Sequence, residues 1–267
     1  MQMGLNRSPL ARPEQKQPNS TKTLKIMERN INSLIDYSLE ATDGTVGNVE
    51  EFYFDDKTWD IRYIIVKTGN WLSNRKVLIA PSALVKTSWQ NGRFPVSLTK
   101  EQILNSPDID TNKPVSRQQE IELYGHYQWE NYWGSGFYAG GSMGVSTPFP
   151  VVDRKVVMEA DMSDDHSNDD LHLRSTERIT GYHIHAADGD IGHINDFIMD
   201  DKTWKIKFIV VDTHNWFGGK KVLIGVAHIS KIEWSENKIF LDIPAAAIEN
   251  SEPFKEADYL HMQLLKP

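Results

Sequence analysis

Cysteine is missing from all 267 residues. That excludes disulfides, a thiol nucleophile and any thiolate metal site. Excess positive charge is missing too: the formal net charge is −8 and the isoelectric point is near 5.6. A nucleic-acid surface normally shows a basic patch or stripe, so nucleic acid is an unfavoured partner. No apolar run approaches the roughly 18–20 residues that span a bilayer, and the N-terminus lacks the apolar core of a signal peptide. The expectation is a cytoplasmic chain without a transmembrane segment. Catalytic signatures are equally scarce. There is no Gly-x-Ser-x-Gly, no His-Glu-x-x-His and no triad spacing. The glycine-rich stretch 134–144 lacks the Gly-Lys-Ser/Thr ending and the preceding strand of a phosphate loop. No enzyme and no cofactor are expected.

What is present is present twice. Asp43-Gly44-Thr45-Val46-Gly47, Phe52, Asp55-Asp56-Lys57-Thr58-Trp59, Asn70-Trp71 and Lys76-Val77-Leu78-Ile79 return as Asp188-Gly189-Asp190-Ile191-Gly192, Phe197, Asp200-Asp201-Lys202-Thr203-Trp204, Asn215-Trp216 and Lys221-Val222-Leu223-Ile224. The offset is 145 throughout (43 and 188, 79 and 224), without a gap. So long a period is a duplicated domain rather than a solenoid. It predicts two units of about 100 residues, each small enough to be only modestly stable.

Within each unit the pattern is that of short strands. Tyr37-Ser38-Leu39-Glu40 and Tyr182-His183-Ile184-His185 alternate apolar and polar, the mark of a half-buried strand. Asp43-Gly44 and Asp188-Gly189 follow as tight turns. A second strand runs from Thr45 to Phe54, where Gly47 and Gly192 mark a bulge or a close backbone approach. The polar turn Asp55 to Thr58 leads into a third strand, Trp59 to Lys67, whose second half is apolar on both faces. Strands at Arg75 to Ala80, Val85 to Gln90 and Arg93 to Leu98 complete six. The predicted fold is mainly β: two small six-stranded antiparallel β-barrels with short flanking helices, closure removing exposed edges. The helices are expected at Thr99–Leu104, Ser116–Leu123 and Pro244–Ile248, with Thr99 as N-cap and Pro244 in a first turn.

The expected organisation is a disordered tail over 1–28, with Met27 an alternative start, and a first barrel over 29–133 ending in an aromatic arm. A Gly/Ser-rich and then acidic linker covers 134–173, and the second barrel spans 174–267.

The Asp-Gly-x-hydrophobic-Gly strand, the Phe/Met-Asp-Asp-x-x-Trp hairpin, the Asn70-Trp71-Leu72 loop and Lys76-Val77-Leu78-Ile79 running into Pro81 resemble the PRC-barrel domain. So does Pro114-Val115-Ser116-Arg117 leading to Tyr127 and Tyr132-Trp133. The resemblance covers about 29–133 and 174–250. The family is known from the cytoplasmic part of the H subunit of photosynthetic reaction centres and from the C-terminal half of a ribosome-maturation factor. It implies a docking or adaptor barrel without family-wide catalytic residues. The chain departs from both contexts. It has no N-terminal transmembrane helix, and its two barrels are of one kind, which points to stand-alone bacterial PRC-barrel proteins.

The candidate partner-binding residues are aromatic. Asn70, Trp71 and Leu72, with Asn215, Trp216 and Phe217, place large apolar groups at loop tips, either as docking anchors or as caps on the barrel ends. Trp129, Tyr132 and Trp133 belong to an arm peculiar to the first copy, which either meets a partner or packs internally and fixes the domain arrangement. Trp59, Trp204, Trp89 and Trp234 are expected in the core. His183 and His185 share one strand face with His193 nearby, which offers a metal-binding or metal-assisted alternative, but no third ligand has convincing spacing, so no metal is expected. The acidic run Asp161–Asp170 lacks calcium-loop spacing, and Asp55-Asp56 and Asp200-Asp201 read as turn chemistry. The resulting expectation is a non-enzymatic protein-interaction adaptor with a protein partner of unidentified nature. Peripheral association with a membrane complex, a homo-oligomer or an intramolecular pseudo-dimer is compatible with it. A ribosome- or RNA-associated assembly factor is the further alternative, against which the acidity stands.

Overall fold

In the computed structural model, which describes residues 28–85, 92–109, 115–133, 172–213 and 219–255, the duplicated sequence folds into duplicated sheets. Residues 1–27 of the tail, 134–171 of the central linker and the expected strand residues 86–90 with Trp89 lie outside the described residues. The first unit contains β2 (Ser38–Ala41), β3 (Gly44–Asp55), β4 (Ile61–Thr68), β5 (Lys76–Ile79) and β6 (Arg93–Pro95). The second contains β8 (His183–Ala186), β9 (Gly189–Asp200), β10 (Lys205–Asp212), β11 (Lys221–Gly225), β12 (Ile229–Glu233) and β13 (Lys238–Leu241). The strand orders are β5-β4-β3-β2-β6 and β11-β10-β9-β8-β13-β12.

One pairing in each unit departs from the all-antiparallel expectation. β6 runs parallel to β2, and β13 runs parallel to β8. Parallel neighbours need a long connection; here the whole β3–β5 or β9–β12 meander supplies it and returns the chain to the free side of the first strand. Among the described residues neither ladder is hydrogen-bonded all the way round.

The repeated residues explain the repeated geometry. A Cβ added at Gly47 would stand 2.1 Å from the Lys67 carbonyl oxygen, and one at Gly192 would stand 2.0 Å from that of Asp212. Only glycine permits so close an approach of two strands. The turn aspartates reach forward: Asp43 Oδ1 accepts the Lys100 N–H at 2.8 Å and Asp188 Oδ1 the Ala245 N–H at 2.7 Å. Each thereby occupies an orphan donor of the short helix that follows its sheet, α1 (Lys100–Leu104) and α3 (Ala245–Glu249). At the other end of those helices a cation meets the free carbonyls. Arg75 donates to Ile103 and Ser106, and Lys220 donates to Glu249 and Ser251.

The two units are not strung side by side. The first strand of each is inserted in the other. β1 (Glu28–Asn30) pairs with β9, and β7 (Leu173–Ser175) pairs with β3. The hairpin ends meet reciprocally: Ile61 N–H donates to the Trp204 carbonyl at 2.7 Å and Ile206 N–H to the Trp59 carbonyl at 2.8 Å. Arg29 pairs with Asp201 and Arg174 with Asp56, both at 2.8 Å. Every one of these contacts maps onto its mate by the offset of the repeat, as in the isologous interface of a two-fold dimer. The chain therefore forms an intramolecular pseudo-dimer with exchanged strands and one contiguous core. The expected boundaries at Arg29 and Arg174 fall inside the exchanged strands.

Trp59 and Trp204 hold the seam. Both take a left-handed backbone, φ 62° and 56°, which costs a non-glycine residue about 1 kcal/mol or more. Ring packing at the seam offsets it. Trp59 stacks on Phe54 at 5.1 Å, and Trp204 reaches the first unit's Phe52 and Phe94 at 6.5 and 6.3 Å.

Candidate protein-docking site

The aromatic arm begins at Ser116, which caps α2 (Arg117–Tyr127) in a capping box with Gln119. Gln128, at φ 57°, ends the helix in the left-handed region and turns the chain back. That reversal stacks Trp129 on Tyr127 at 4.4 Å and brings Tyr132 and Trp133 to 5.9 and 4.8 Å from Tyr124. Trp129, Tyr132 and Trp133 are half-buried and pack against the core.

Beneath the arm lies a buried polar knot. Glu120, fully inaccessible, accepts hydrogen bonds from the Tyr63 hydroxyl at 2.8 Å and the Tyr132 hydroxyl at 2.7 Å. Arg117 Nη1 donates to its second oxygen at 2.8 Å. His172 Nε2 stands 2.9 Å from the Tyr132 hydroxyl and 3.6 Å from Glu120 Oε2. His172 immediately precedes β7, so the knot ties the exchanged strand to the arm. Arg62 lies over the Tyr132 ring at 3.9 Å, and Arg117 lies over the Trp133 ring at 4.5 Å.

Burial raises the Glu120 carboxyl above its ordinary range, although Arg117 and the two phenols pull it down. Burial, with Glu120 adding to it, pushes the Tyr63 and Tyr132 phenols far up and that of Tyr124 to about 12. All three phenols are thus donors at neutral pH, and the knot works as a fastener.

Between the arm and the second unit's hairpin opens a groove of ≈ 840 Å³. Its apolar wall comprises Pro81, Leu84, Val85, Tyr132 and Trp204, and Val85 is 40% exposed. Arg29, Arg62 and Lys202 line it together with Asp60, Glu130 and Asp201. It thus draws on both units and the arm.

The other candidates fall elsewhere. Asn70–Leu72 forms a 3-10 turn with Asn70 exposed and Leu72 half-buried against the core. The Trp71 side chain and residues 214–218, which include Asn215, Trp216 and Phe217, lie outside the described residues. Exposed His183 sits across from His193 on neighbouring strands, and half-buried His185 pairs with Asp190 at 2.7 Å. Among the described residues no group of three His, Asp or Glu side chains is arranged to hold a metal. Asp55 and Asp200 each accept the N–H groups two and three residues on. Sequence reasoning assigned the paired aspartates to turns and missed that the second of each pair, Asp56 and Asp201, bridges the units. It also missed Glu120, whose one signal was a carboxylate four residues before Tyr124 in an aromatic helix.

A duplicated small barrel with exchanged strands, a fastened arm and an amphipathic groove defines a tandem barrel of the protein-interaction type. A model of the PRC-barrel domain family matches residues 27–102 and 179–248, together more than half of the chain, and the chain belongs to that family. A search of the curated proteins returned no match. Among the described residues no helix is long and apolar enough to cross a membrane.

Proposed function

We propose that this chain is a non-enzymatic cytoplasmic adaptor whose fused barrels hold a segment of a protein partner in the groove beside the arm. The groove itself carries the reading. It is lined by apolar side chains together with charges of both signs, and assembled from five separate stretches of chain, the mixed composition of a protein interface. The exchanged strands support it further, because they hold the two barrels in one fixed relation. A partner reaching both barrels would gain avidity of about 10²-fold or more.

The test is a photo-cross-linking residue installed at Val85 in the native cell, with membrane and soluble fractions separated. A discrete cross-linked protein is expected, weakened by Tyr132→Ala. A folded protein that yields no discrete adduct would refute the reading. The fraction in which the adduct appears decides between a soluble and a membrane-bound complex. Trp71→Ala/Trp216→Ala, with folding checked, assigns or removes the tips as further contacts.

A further inference from the structure

The internal symmetry is broken most clearly at one place on each sheet. On β4 the ladder to β3 shifts between the pairs Tyr53/Tyr63 and Phe54/Ile61, so that Arg62 is an extra, bulged residue. The bulge presents Arg62 and Tyr63 together to the arm. Arg62 lies over the Tyr132 ring at 3.9 Å, and Tyr63 meets Tyr124 edge-on at 6.3 Å and 82°. On β10 the shift recurs at the same position of the repeat, between Ile206/Met199 and Phe208/Ile198, leaving Lys207 as the extra residue. Lys207 stands where Arg62 stands, and Phe208 where Tyr63 stands. Tyr63 is wholly covered by the arm. Phe208 and Lys207 are partly exposed, and half-buried Val226 and Ile229 flank them at the positions of Pro81 and Leu84.

Resting on the docking reading above, we infer that this face of the second unit is a second docking site, and that its occupant is a tyrosine- or tryptophan-rich segment of a partner protein. The first unit shows what such a bulge takes: one ring on the cation and another against the aromatic beside it. The substitutions between the copies refine the chemistry. Phe208 has no hydroxyl to give a carboxylate, so the hydrogen bond that Tyr63 makes to Glu120 has no equivalent. Lys205 already lies 3.9 Å from Asp60, and Lys207 acts on the carboxylates of Glu28 and Asp200. An additional acid has little to gain there. The electron-rich face of a ring complements the Lys207 ammonium without displacing those carboxylates.

The probe is a synthetic peptide of residues 115–133, titrated into the full chain and followed by fluorescence anisotropy and by amide chemical shifts. Saturable binding is expected, with shifts centred on β10. The peptide should bind about tenfold or more weakly to Phe208→Glu, and a Tyr124→Ala/Tyr132→Ala peptide should lose a similar factor. Phe208→Leu, which keeps an apolar group, controls for folding and should lose less. Absence of saturable binding, or binding indifferent to Phe208→Glu, overturns the inference. Shifts confined to β4 overturn it too, since they mean exchange with the arm on the first unit. Binding seen only after removal of residues 256–267 would make the chain's own end the occupant. Self-association lost in Phe208→Glu would make the occupant a second copy. Either result refutes the assignment to a partner protein. A Val85 cross-link that survives while the peptide fails leaves the adaptor reading standing. Peptide binding without any cross-link removes that reading and keeps the face.

Discussion

Glu120→Gln tests the buried knot most directly. The carboxylate has three donors at 2.7–2.8 Å, the hydroxyls of Tyr63 and Tyr132 and the guanidinium of Arg117. A hydrogen bond to a charged group contributes about 1.5–3 kcal/mol. The amide keeps one acceptor and turns an N–H₂ toward Arg117. The expected cost at neutral pH is therefore about 2 kcal/mol, which for a described body of this size lowers Tm by roughly 4–8 °C. The pH dependence carries the finer information. Burial holds the folded carboxyl above its unfolded value. A raised carboxyl gives stability that is fully present below the unfolded pKa and is lost as pH rises through the folded one. Wild type should lose stability on this account as pH climbs above the ordinary carboxylate range, and Glu120→Gln should remove that part of the slope. Glu51 and Glu28 are raised as well, and Glu40 and Asp200 lowered. The informative quantity is therefore the difference between variant and wild type, from denaturant titrations over pH 4–8. A double-mutant cycle with Tyr63→Phe should give a coupling of about 1–2 kcal/mol. Parallel pH profiles together with zero coupling would refute the knot as a fastener.

Arg29→Ala should cost about 3 kcal/mol in denaturant unfolding, because it strands Asp201 in a pair whose side chains are 5% and 9% exposed. Arg174→Ala, at a pair 23% and 12% exposed, should cost less, with part of the loss coming from its 3.9 Å stack on Trp234. Equal costs would show that the seam is insensitive to burial. Gly47→Ala and Gly192→Ala should each destabilise by about 3 kcal/mol, measured as loss of Tm, since the added methyl would meet a strand carbonyl near 2 Å. A near-neutral alanine at either site would show that β3–β4 or β9–β10 can part freely. Deleting residues 1–30 removes β1, and hydrogen exchange should speed up at Met199 of β9 in the other unit, which lies opposite Arg29. Unchanged protection there would contradict the strand exchange.

The fold was legible because its determinants are local and occur twice. Asp-Gly turns, alternating strands and glycines at close approaches each announce themselves within a few residues, and the offset of 145 aligns them. Strand ends followed within two residues: β3 is Gly44–Asp55 where Thr45 to Phe54 is expected, and β4 is Ile61–Thr68 where Trp59 to Lys67 is expected. The exchange was illegible. β1 is the three residues Glu28–Asn30 with no alternation to detect, and its partner Asp200 lies 172 residues away. Pairing at that distance depends on the geometry of the seam and leaves no local pattern. The knot was hidden for the same reason, since Tyr63, Glu120, Tyr132 and His172 come from four separate stretches. Sequence placed Tyr132 in an aromatic arm, but nothing near it named the carboxylate it holds.

The seam also explains where the two copies differ. Positions whose contacts across the pseudo-two-fold come in equivalent pairs carry the same residue twice: Arg29 and Arg174, Asp56 and Asp201, Trp59 and Trp204. A change at such a position alters one of two equivalent contacts and leaves its partner unmatched, so identity is the low-energy arrangement. Asp60 and Lys205 are mates that meet each other at the axis, bridged backbone to backbone with their side chains 3.9 Å apart, so opposite charges suit them. Away from the axis Arg62 answers to Lys207 and Tyr63 to Phe208. These two changes alter reach and hydrogen bonding on the face that the arm covers in one unit and leaves partly exposed in the other. The shared residues hold the two barrels together, and the divergent ones distinguish what each barrel can bind.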